Sequence, residues 1–120
     1  MPIVRVDVTG PKSHAYKASV MRGVRQAIVG HLNAPDERVS IRVCETEAES
    51  VDAPEWRGDR FTVVEVWLYS GRTPEAKAAC VDTMREELST DPGIPVHDVS
   101  VIFSDRVPED LHVLQREDMK

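Results

Sequence analysis

Two residues carry the most specific chemistry in this sequence, and the first is a proline at position 2. Pro2 follows methionine in "MPIVRVDV" and opens a stretch of alternating apolar residues. Methionine before a small residue is commonly removed, and this removal would leave a secondary amine at the start of a strand. A free α-amino group titrates near ~8, and an apolar pocket lowers that pKa. We therefore expect Pro2 to take and return a proton near neutral pH; the alternative is that "MP" is an ordinary beginning.

The second residue is Arg72, in "YSGRTPEAK". Thr73 is a plausible helix N-cap, and Pro74 suits the first helical position. The unpaired N–H groups and the dipole of a helix start favour an anion, and a guanidinium can bind a carboxylate through two hydrogen bonds. We expect Arg72 to bind a carboxylate; the alternative is a surface cation paired with Glu75. Lys12 holds the equivalent place in the first half of the chain.

Together these residues indicate proton transfer on a small carboxylic acid. Arg72 would hold the carboxylate while the amine of Pro2 acts on the neighbouring carbon. Glu37 and Asp36 lie in the turn before the second predicted strand, where either could activate water or steer a proton. The alternative for both is a solvated turn carboxylate.

The elements that must position these residues follow from an internal repeat. A shift of 60 places "IVRVDV" (3–8) on "VVEVWL" (63–68) and "VS" (39–40) on "VS" (99–100), without a gap across residues 3–43. Each half reads as a strand of period two, a helix and a second strand. We expect one domain spanning 1–120, with repeat halves at about 2–44 and 61–104, a linker at 45–60 and a tail at 105–120.

A strand–helix–strand unit normally forms a parallel crossover, so two units joined edge to edge predict an α+β (α/β) fold. Its four-stranded mixed sheet carries both helices on one face. The residues expected to face the helices are Val4, Val6, Val8, Val39, Ile41, Val43, Val64, Val66, Leu68, Val99, Val101 and Phe103. The apolar stripes of the two helices are Ala18, Met21, Val24, Ala27 and Ile28, and Ala76, Cys80, Val81, Met84 and Leu88. The other sheet face shows Val63, Trp67 and Ile102, which predicts burial against another subunit in a closed cyclic assembly.

Composition excludes several classes of function. The net charge is −6 and the sequence has no basic stripe, which argues against a nucleic-acid partner. No apolar run is long enough to span a bilayer. The chain shows no signal-peptide pattern, which predicts a cytoplasmic protein. Cys44 and Cys80 lack metal-ligand spacing and read as small buried hydrophobes, and the four histidines are scattered, so no metal site is expected.

The sequence resembles the tautomerase superfamily. The resemblance runs from "MPIVRVDV" through "FTVVEVWLYSGRTPEAK" to "DPGIPVHDVSVIF", about residues 2–104. It is greatest to the double-length branch, which includes malonate semialdehyde decarboxylase and the chloroacrylic acid dehalogenases. The resemblance implies a homotrimer of paired β-α-β units with Pro2 as catalytic amine, Arg72 as carboxylate-binding residue and Glu37 near the acidic position of the decarboxylase-like members. Relatives often carry a second arginine where this chain has Ser70, and a tryptophan- and glycine-rich segment where it has "SDRVPEDLHVLQ".

We therefore expect an N-terminal-proline tautomerase acting on a small 2-keto or enol acid, with no external cofactor. One alternative is decarboxylation or hydration of a small 3-oxo acid at the same site. A second is a non-catalytic oligomeric member of the fold, favoured by Ser70 and the changed tail. A third is a ferredoxin-like regulatory domain, which shares the repeat pattern.

Overall fold

Four strands and two long helices form the fold. The computed structural model describes residues 2–119. In chain order its elements are β1 (Ile3–Gly10), α1 (His14–His31), β2 (Ser40–Glu47), β3 (Thr62–Tyr69), α2 (Pro74–Thr90) and β4 (Val99–Arg106). Single 3₁₀ turns precede β2 (Asp36–Arg38) and β4 (Val96–Asp98), and three more follow β2 and β4.

The sheet has the order β2-β1-β3-β4. Each β-α-β unit contributes a parallel pair, β1 with β2 and β3 with β4, and the two units meet where β1 runs antiparallel to β3. This topology confirms the mixed sheet of two β-α-β units. It contradicts the ferredoxin-like alternative, because that fold splits each unit, whereas β1 here pairs directly with β2.

The core lies between the sheet and the two helices. The predicted helix-facing residues of the central strands are all 0–2 % exposed, from Val4 on β1 to Leu68 on β3. On the outer strands, Ile41, Val43, Val101 and Phe103 pack against the same cluster but are only partly buried. The predicted alternation is therefore correct, and burial weakens toward the sheet margins because fewer neighbours cover an outer strand.

Both predicted helix caps are present. The hydroxyl of Ser13 accepts a hydrogen bond from the Tyr16 amide, and the hydroxyl of Thr73 accepts one from Ala76, at 3.1 Å each. Such caps satisfy backbone N–H groups that have no partner within the helix. They fix the residue at which each helix leaves the preceding loop, and in α2 that residue directly follows Arg72.

The apolar stripe of α1 differs from the prediction. Ala18 is exposed and Met21 only partly buried, and the buried residues of this helix are Val20, Gly23, Val24, Ala27 and Ile28. A Cβ on Gly23 would come within 3.1 Å of Leu88 on α2. The two helices therefore approach closely at a glycine, which hydrophobicity alone does not mark as a contact residue. In α2 the predicted residues Cys80, Met84 and Leu88 are buried, whereas Ala76 and Val81 are only partly buried.

Within residues 2–119, neither α1 nor α2 packs on the opposite face of the sheet. Ile102 is 49 % exposed, while Val63 and Trp67 are half-buried on the same face. No helix in residues 2–119 is long and apolar enough to cross a membrane.

Candidate active site

Pro2 lies at the end of the sheet where the strands β1 and β2 begin and β3 and β4 end. We call this end of the strands the Pro2 edge; it is not an outer strand, because β1 is central in the sheet. Ile3 pairs with Ser40 on one side and with Trp67 on the other, and the Ser40 amide donates to the Pro2 carbonyl at 3.2 Å. Pro2 itself is buried. The predicted removal of Met1 lies outside the described residues and stays a prediction.

The register defines the neighbours of the Pro2 nitrogen. Because Ile3 pairs with Ser40 and Trp67, the next position toward the edge sets Pro2 between Val39 and Leu68. Arg38 precedes Val39 as the last residue of the 3₁₀ turn before β2, and Tyr69 follows Leu68 as the last residue of β3.

Arg72 lies at the same edge, in the turn from β3 to α2. Its Nε donates to the Leu32 carbonyl at 2.9 Å and its Nη1 to the Tyr69 carbonyl at 3.2 Å. Leu32 is the C-cap of α1, where carbonyl groups have no partner within the helix. A guanidinium carries five N–H donors, so three remain after these two bonds. Arg72 is held in place by the backbone and keeps donors for a ligand.

No carboxylate in residues 2–119 lies within ion-pair distance of Arg72, so the pairing with Glu75 is not observed there. An open cleft of about 460 Å³ adjoins the arginine. It is lined by His31, Leu32, Asn33, Ser70, Gly71, Arg72, Thr73 and Ala76. This volume is in the range of small-molecule sites. Arg72 can therefore meet a small acid that enters from solvent.

Gly71 makes the turn before Arg72 possible. Its φ is +129°, a conformation that side chains rarely adopt, although a Cβ there would meet no atom within 4 Å. The requirement for glycine is therefore conformational rather than steric. This turn brings Arg72 back to the carbonyl of Tyr69.

Glu37 also lies near the Pro2 edge but points into solvent. It belongs to the 3₁₀ turn Asp36–Arg38, its side chain is 58 % exposed, and its Oε2 lies 3.7 Å from Nη1 of Arg116. This environment favours the solvated turn carboxylate over a substrate-binding role. The neighbouring Asp36 accepts hydrogen bonds from Arg25 through its carbonyl and its carboxylate.

The sequence interpretation missed Arg38, Tyr69 and the segment after β4. The Tyr69 hydroxyl donates to the Leu111 carbonyl at 2.8 Å, and Arg38 forms an ion pair with Glu117. The segment therefore contacts both the last residue of β3 and the turn that precedes β2. It has no hydrophobic period that would have predicted its path. Arg38 could have been predicted at this edge, because β1 and β2 are parallel strands of one unit and the residues that directly precede them therefore lie at the same end of the sheet.

The opposite edge of the sheet, which we call the Lys12 edge, is built differently. The Lys12 amide donates to Glu45 at 3.1 Å, and the Lys12 ammonium donates to the Asp59 carbonyl at 3.2 Å. The hydrogen bond from Lys17 and the bond from the Lys12 amide lower the pKa of the Glu45 carboxyl. The position 60 residues after Pro2 is Thr62, which is buried and has no amine in its side chain. The repeat therefore does not produce a second copy of the candidate site.

Comparison with known proteins identifies the family. Two family models described as "Tautomerase enzyme" match residues 42–111 and residues 2–52, and the first covers more than half of the chain. The chain belongs to the tautomerase family of enzymes. No curated protein gives a significant match.

Solved structures share the fold over almost the whole chain. A fused 4-OT, wild-type symmetric trimer Q0, is 26 % identical, covers 97 % of both chains and has a TM-score of 0.82. FG41 malonate semialdehyde decarboxylase inhibited by 3-bromopropiolate is 21 % identical, with a TM-score of 0.83 over 92 % of this chain and 87 % of that one. A further malonate semialdehyde decarboxylase structure is 17 % identical, with a TM-score of 0.85 over 95 % of this chain and 92 % of that one.

Proposed function

We propose that this protein is a tautomerase that uses the amine of Pro2 to transfer a proton on a small 2-keto or enol acid. One observation carries the proposal: in a chain of the tautomerase family, the start of β1 and the guanidinium of Arg72 lie at the same sheet edge. Arg72 is held there by two backbone carbonyls, retains three further N–H donors and lines an open cleft.

In the proposed reaction Arg72 binds the carboxylate of the enol form. The nitrogen of Pro2 takes the proton of the enol O–H group, and the C=C bond becomes a C–C bond as the C=O bond forms. The same proton, or one exchanged with water, is delivered to the carbon. The amine is regenerated, so the step needs no cofactor or co-reactant. General acid–base catalysis of this kind contributes about 10²- to 10⁴-fold in rate.

The test compares ketonisation of phenylenolpyruvate and 2-hydroxymuconate by the wild-type protein, Pro2→Ala, Arg72→Ala and Lys12→Ala. Lys12 occupies the position equivalent to Arg72 at the other edge and serves as the matched control. Intact mass first establishes whether residue 1 is present. We expect Pro2→Ala to lose about 10²-fold or more, Arg72→Ala to lose mainly in kcat/KM, and Lys12→Ala to match the wild type. Rates equal to the uncatalysed reaction in all four proteins would remove the proposal for these substrates.

A second candidate reaction is decarboxylation or hydration of a small 3-oxo acid at the same site. It is supported by the fold shared with two malonate semialdehyde decarboxylase structures, one of them studied for its decarboxylase and hydratase activities. A protonated Pro2 would polarise the carbonyl while Arg72 orients the carboxylate. Release of CO₂ from malonate semialdehyde, absent in Pro2→Ala, would favour this reaction over tautomerisation.

We propose that the chain acts as a homotrimer in the cytoplasm. Support for the assembly comes from the uncovered sheet face with Ile102 and Trp67, and from similar chains that are fused 4-OT trimers. Sedimentation should give about 40 kDa, three times 13.4 kDa. Ile102→Lys should lower this mass, whereas Val96→Lys, an exposed apolar residue beside Asp98 at the far end of the sheet, should not. A monomer in the wild type would refute the trimer, and a trimer without activity would favour the non-catalytic alternative.

A further inference from the structure

The cleft beside Arg72 contains a second group that can carry a positive charge. Its eight lining residues in the described chain include only two ionisable side chains, those of Arg72 and His31. None of the eight carries a carboxylate, whereas three glutamates line the cleft at the Lys12 edge. An anion that enters beside Arg72 therefore meets His31 without competition from a lining carboxylate.

The position of His31 is fixed by both helices. It is the last residue of α1, it is half-buried, and its Nε2 lies 2.7 Å from the hydroxyl oxygen of Thr83 on α2. This is the only hydrogen bond of the ring within residues 2–119, so one ring nitrogen is left for a ligand. The carbonyl of the next residue, Leu32, accepts the bond from Nε of Arg72. Both groups are therefore anchored at the C-terminal end of α1.

The end of α1 can accommodate two neighbouring positive charges. The last carbonyl groups of a helix have no partner within the helix and carry the negative end of its dipole. They favour a cation in the last turn, so they offset part of the repulsion between Arg72 and a protonated His31. Protonation of His31 then increases the positive charge that lines the cleft.

The ring of His31 has no carboxylate partner. No charged residue of α1 lies within one helical turn of His31, and Arg72 is the charged residue of the adjoining turn at 70–73. The charged residues of α2 within one helical turn of Thr83 are Asp82, Arg85, Glu86 and Glu87. Within residues 2–119, no carboxylate lies within ion-pair distance of the ring. A ligand carboxylate in the cleft would be the first anion at that distance.

We propose that His31 is a second acid-binding residue of the Arg72 cleft, and that its protonation makes the cleft bind a carboxylic acid more tightly at pH 6 than at pH 8. The inference rests on the proposed role of Arg72 in the reaction. Histidine ordinarily changes charge between about pH 5 and pH 8, whereas arginine stays charged and a carboxylic acid is mainly ionised over that range. The charges of the acid and of Arg72 are therefore constant while the charge of His31 varies.

The test measures binding of the unreactive acid 3-phenylpropionate by calorimetry at pH 6 and pH 8. A free amine at Pro2 also titrates in this range, so the informative quantity is the difference between the wild type and His31→Gln at each pH. At pH 6 the wild type should bind about three- to tenfold more tightly, between the values of an exposed ion pair and a charged hydrogen bond. At pH 8 the two proteins should agree within about twofold. His97→Gln removes an exposed histidine at the Lys12 edge and should match the wild type at both pH values.

His31→Lys separates the effect of charge from the effect of structure. Lysine stays protonated at both pH values, so this variant should bind the acid more tightly than the wild type at pH 8. No gain in His31→Lys at pH 8, or an equal loss in His31→Gln at both pH values, would overturn the proposal.

Circular dichroism checks the fold of each variant, and a measurement on the wild type gives a result even if the His31 variants unfold. The NMR titration of the His31 ring should move to higher pH when 3-phenylpropionate is bound, while that of the His97 ring should not. An unchanged His31 titration at saturating acid would overturn the proposal.

Kinetics separate this proposal from the proposed function. KM for phenylenolpyruvate should rise in His31→Gln at pH 6 but not at pH 8, while kcat changes little because His31 is proposed to bind the carboxylate and not the reacting carbon. If His31 controls binding of 3-phenylpropionate but the wild type does not catalyse ketonisation, the acid-binding cleft stands and the tautomerase reaction falls. If ketonisation depends on Pro2 and Arg72 but binding of the acid ignores His31, only the present inference is wrong.

Discussion

Replacement of Arg72 by lysine should lower both the free energy of unfolding and the catalytic rate. Arg85→Lys is the control for the loss of stability. Both arginines are half-buried and donate two N–H bonds to backbone carbonyls: Arg72 to Leu32 and Tyr69, and Arg85 to Val99 at 3.1 and 2.9 Å. Lysine keeps the charge but has no planar pair of donors. Arg85 contacts the beginning of β4, at the far end of the sheet from Pro2.

The magnitude follows from the bonds that are lost. If lysine restores one of the two bonds, each variant loses one charge-assisted hydrogen bond, about 1.5–3 kcal/mol of unfolding free energy. For a chain of this length that corresponds to a fall in Tm of roughly 5–15 °C. Arg72→Lys should also lose the paired contact to the substrate carboxylate, which lowers kcat/KM by about 10- to 150-fold.

The assay is thermal unfolding by circular dichroism together with the ketonisation rate at a temperature where both variants are folded. The two variants should have similar Tm values, and only Arg72→Lys should lose kcat/KM. Equal kcat/KM in Arg72→Lys and Arg85→Lys would refute the binding role and leave Arg72 as a structural residue that closes the end of α1. A normal Tm in Arg72→Lys would refute the structural role instead.

Three further predictions concern stability and reactivity. Gly71→Ala should lose about 1–3 kcal/mol because φ is +129°, whereas Gly30→Ala in α1 should gain up to about 1 kcal/mol, and urea unfolding should give opposite shifts. Burial raises the pKa of the Cys80 thiol to about 11, so a thiol reagent at pH 8 should label Cys44→Ser only after unfolding; labelling of the native variant would contradict this. The lowered pKa of the Glu45 carboxyl contributes stability above its ordinary value of 4.5, and this stability is lost as pH falls through the lowered value. Glu45→Gln should therefore reduce Tm more at pH 7 than at pH 3; equal losses would contradict the shift.

The four-stranded sheet and the residues that face its helices could be predicted because two independent patterns agree. Alternation of period two marks the faces of Val4 and Val64, and the shift of 60 assigns the same role to both residues. The hydroxyls of Ser13 and Thr73 then fix where each helix begins. Local chemistry and the repeat were therefore sufficient to place Pro2 at the start of β1 and Arg72 directly before α2, and the antiparallel pairing of β1 with β3 brings both to one edge.

Contacts made by irregular segments could not be predicted. Glu117 reaches Arg38 across 79 residues of chain, in a segment whose exposed Leu114 and Met119 give no period. The path of such a segment depends on a few side-chain contacts, which composition does not encode. The prediction of the apolar stripe of α1 was partly wrong for a related reason, because α1 and α2 approach closely at Gly23, a residue without a side chain.

Comparison of the two halves of the chain distinguishes the residues that stabilise the fold from the residues proposed to react. Lys17 pairs with Glu45 at 2.8 Å, and 60 residues later Lys77 pairs with Asp105 at 2.7 Å, so the ion pair from each helix to the end of its second strand is retained in both units. The retained pairs stabilise the same packing twice.

At the edges the halves diverge. Pro2 corresponds to Thr62, and Arg72 with three unused donors corresponds to Lys12, which is bonded to the linker carbonyl of Asp59. The linker also contacts the Lys12 edge through the Gly58 amide, which lies 3.3 Å from a carboxylate oxygen of buried Asp98. Both edges have an open cleft, but the cleft at the Lys12 edge is lined by Glu45, Glu47 and Glu49, whereas the cleft at the Pro2 edge is lined by Arg72. The carboxylates at the Lys12 edge disfavour an anionic ligand, and the guanidinium at the Pro2 edge favours one. This difference predicts one reactive edge per chain, and titration of active chains with an acid that binds Arg72 should saturate at one equivalent rather than two.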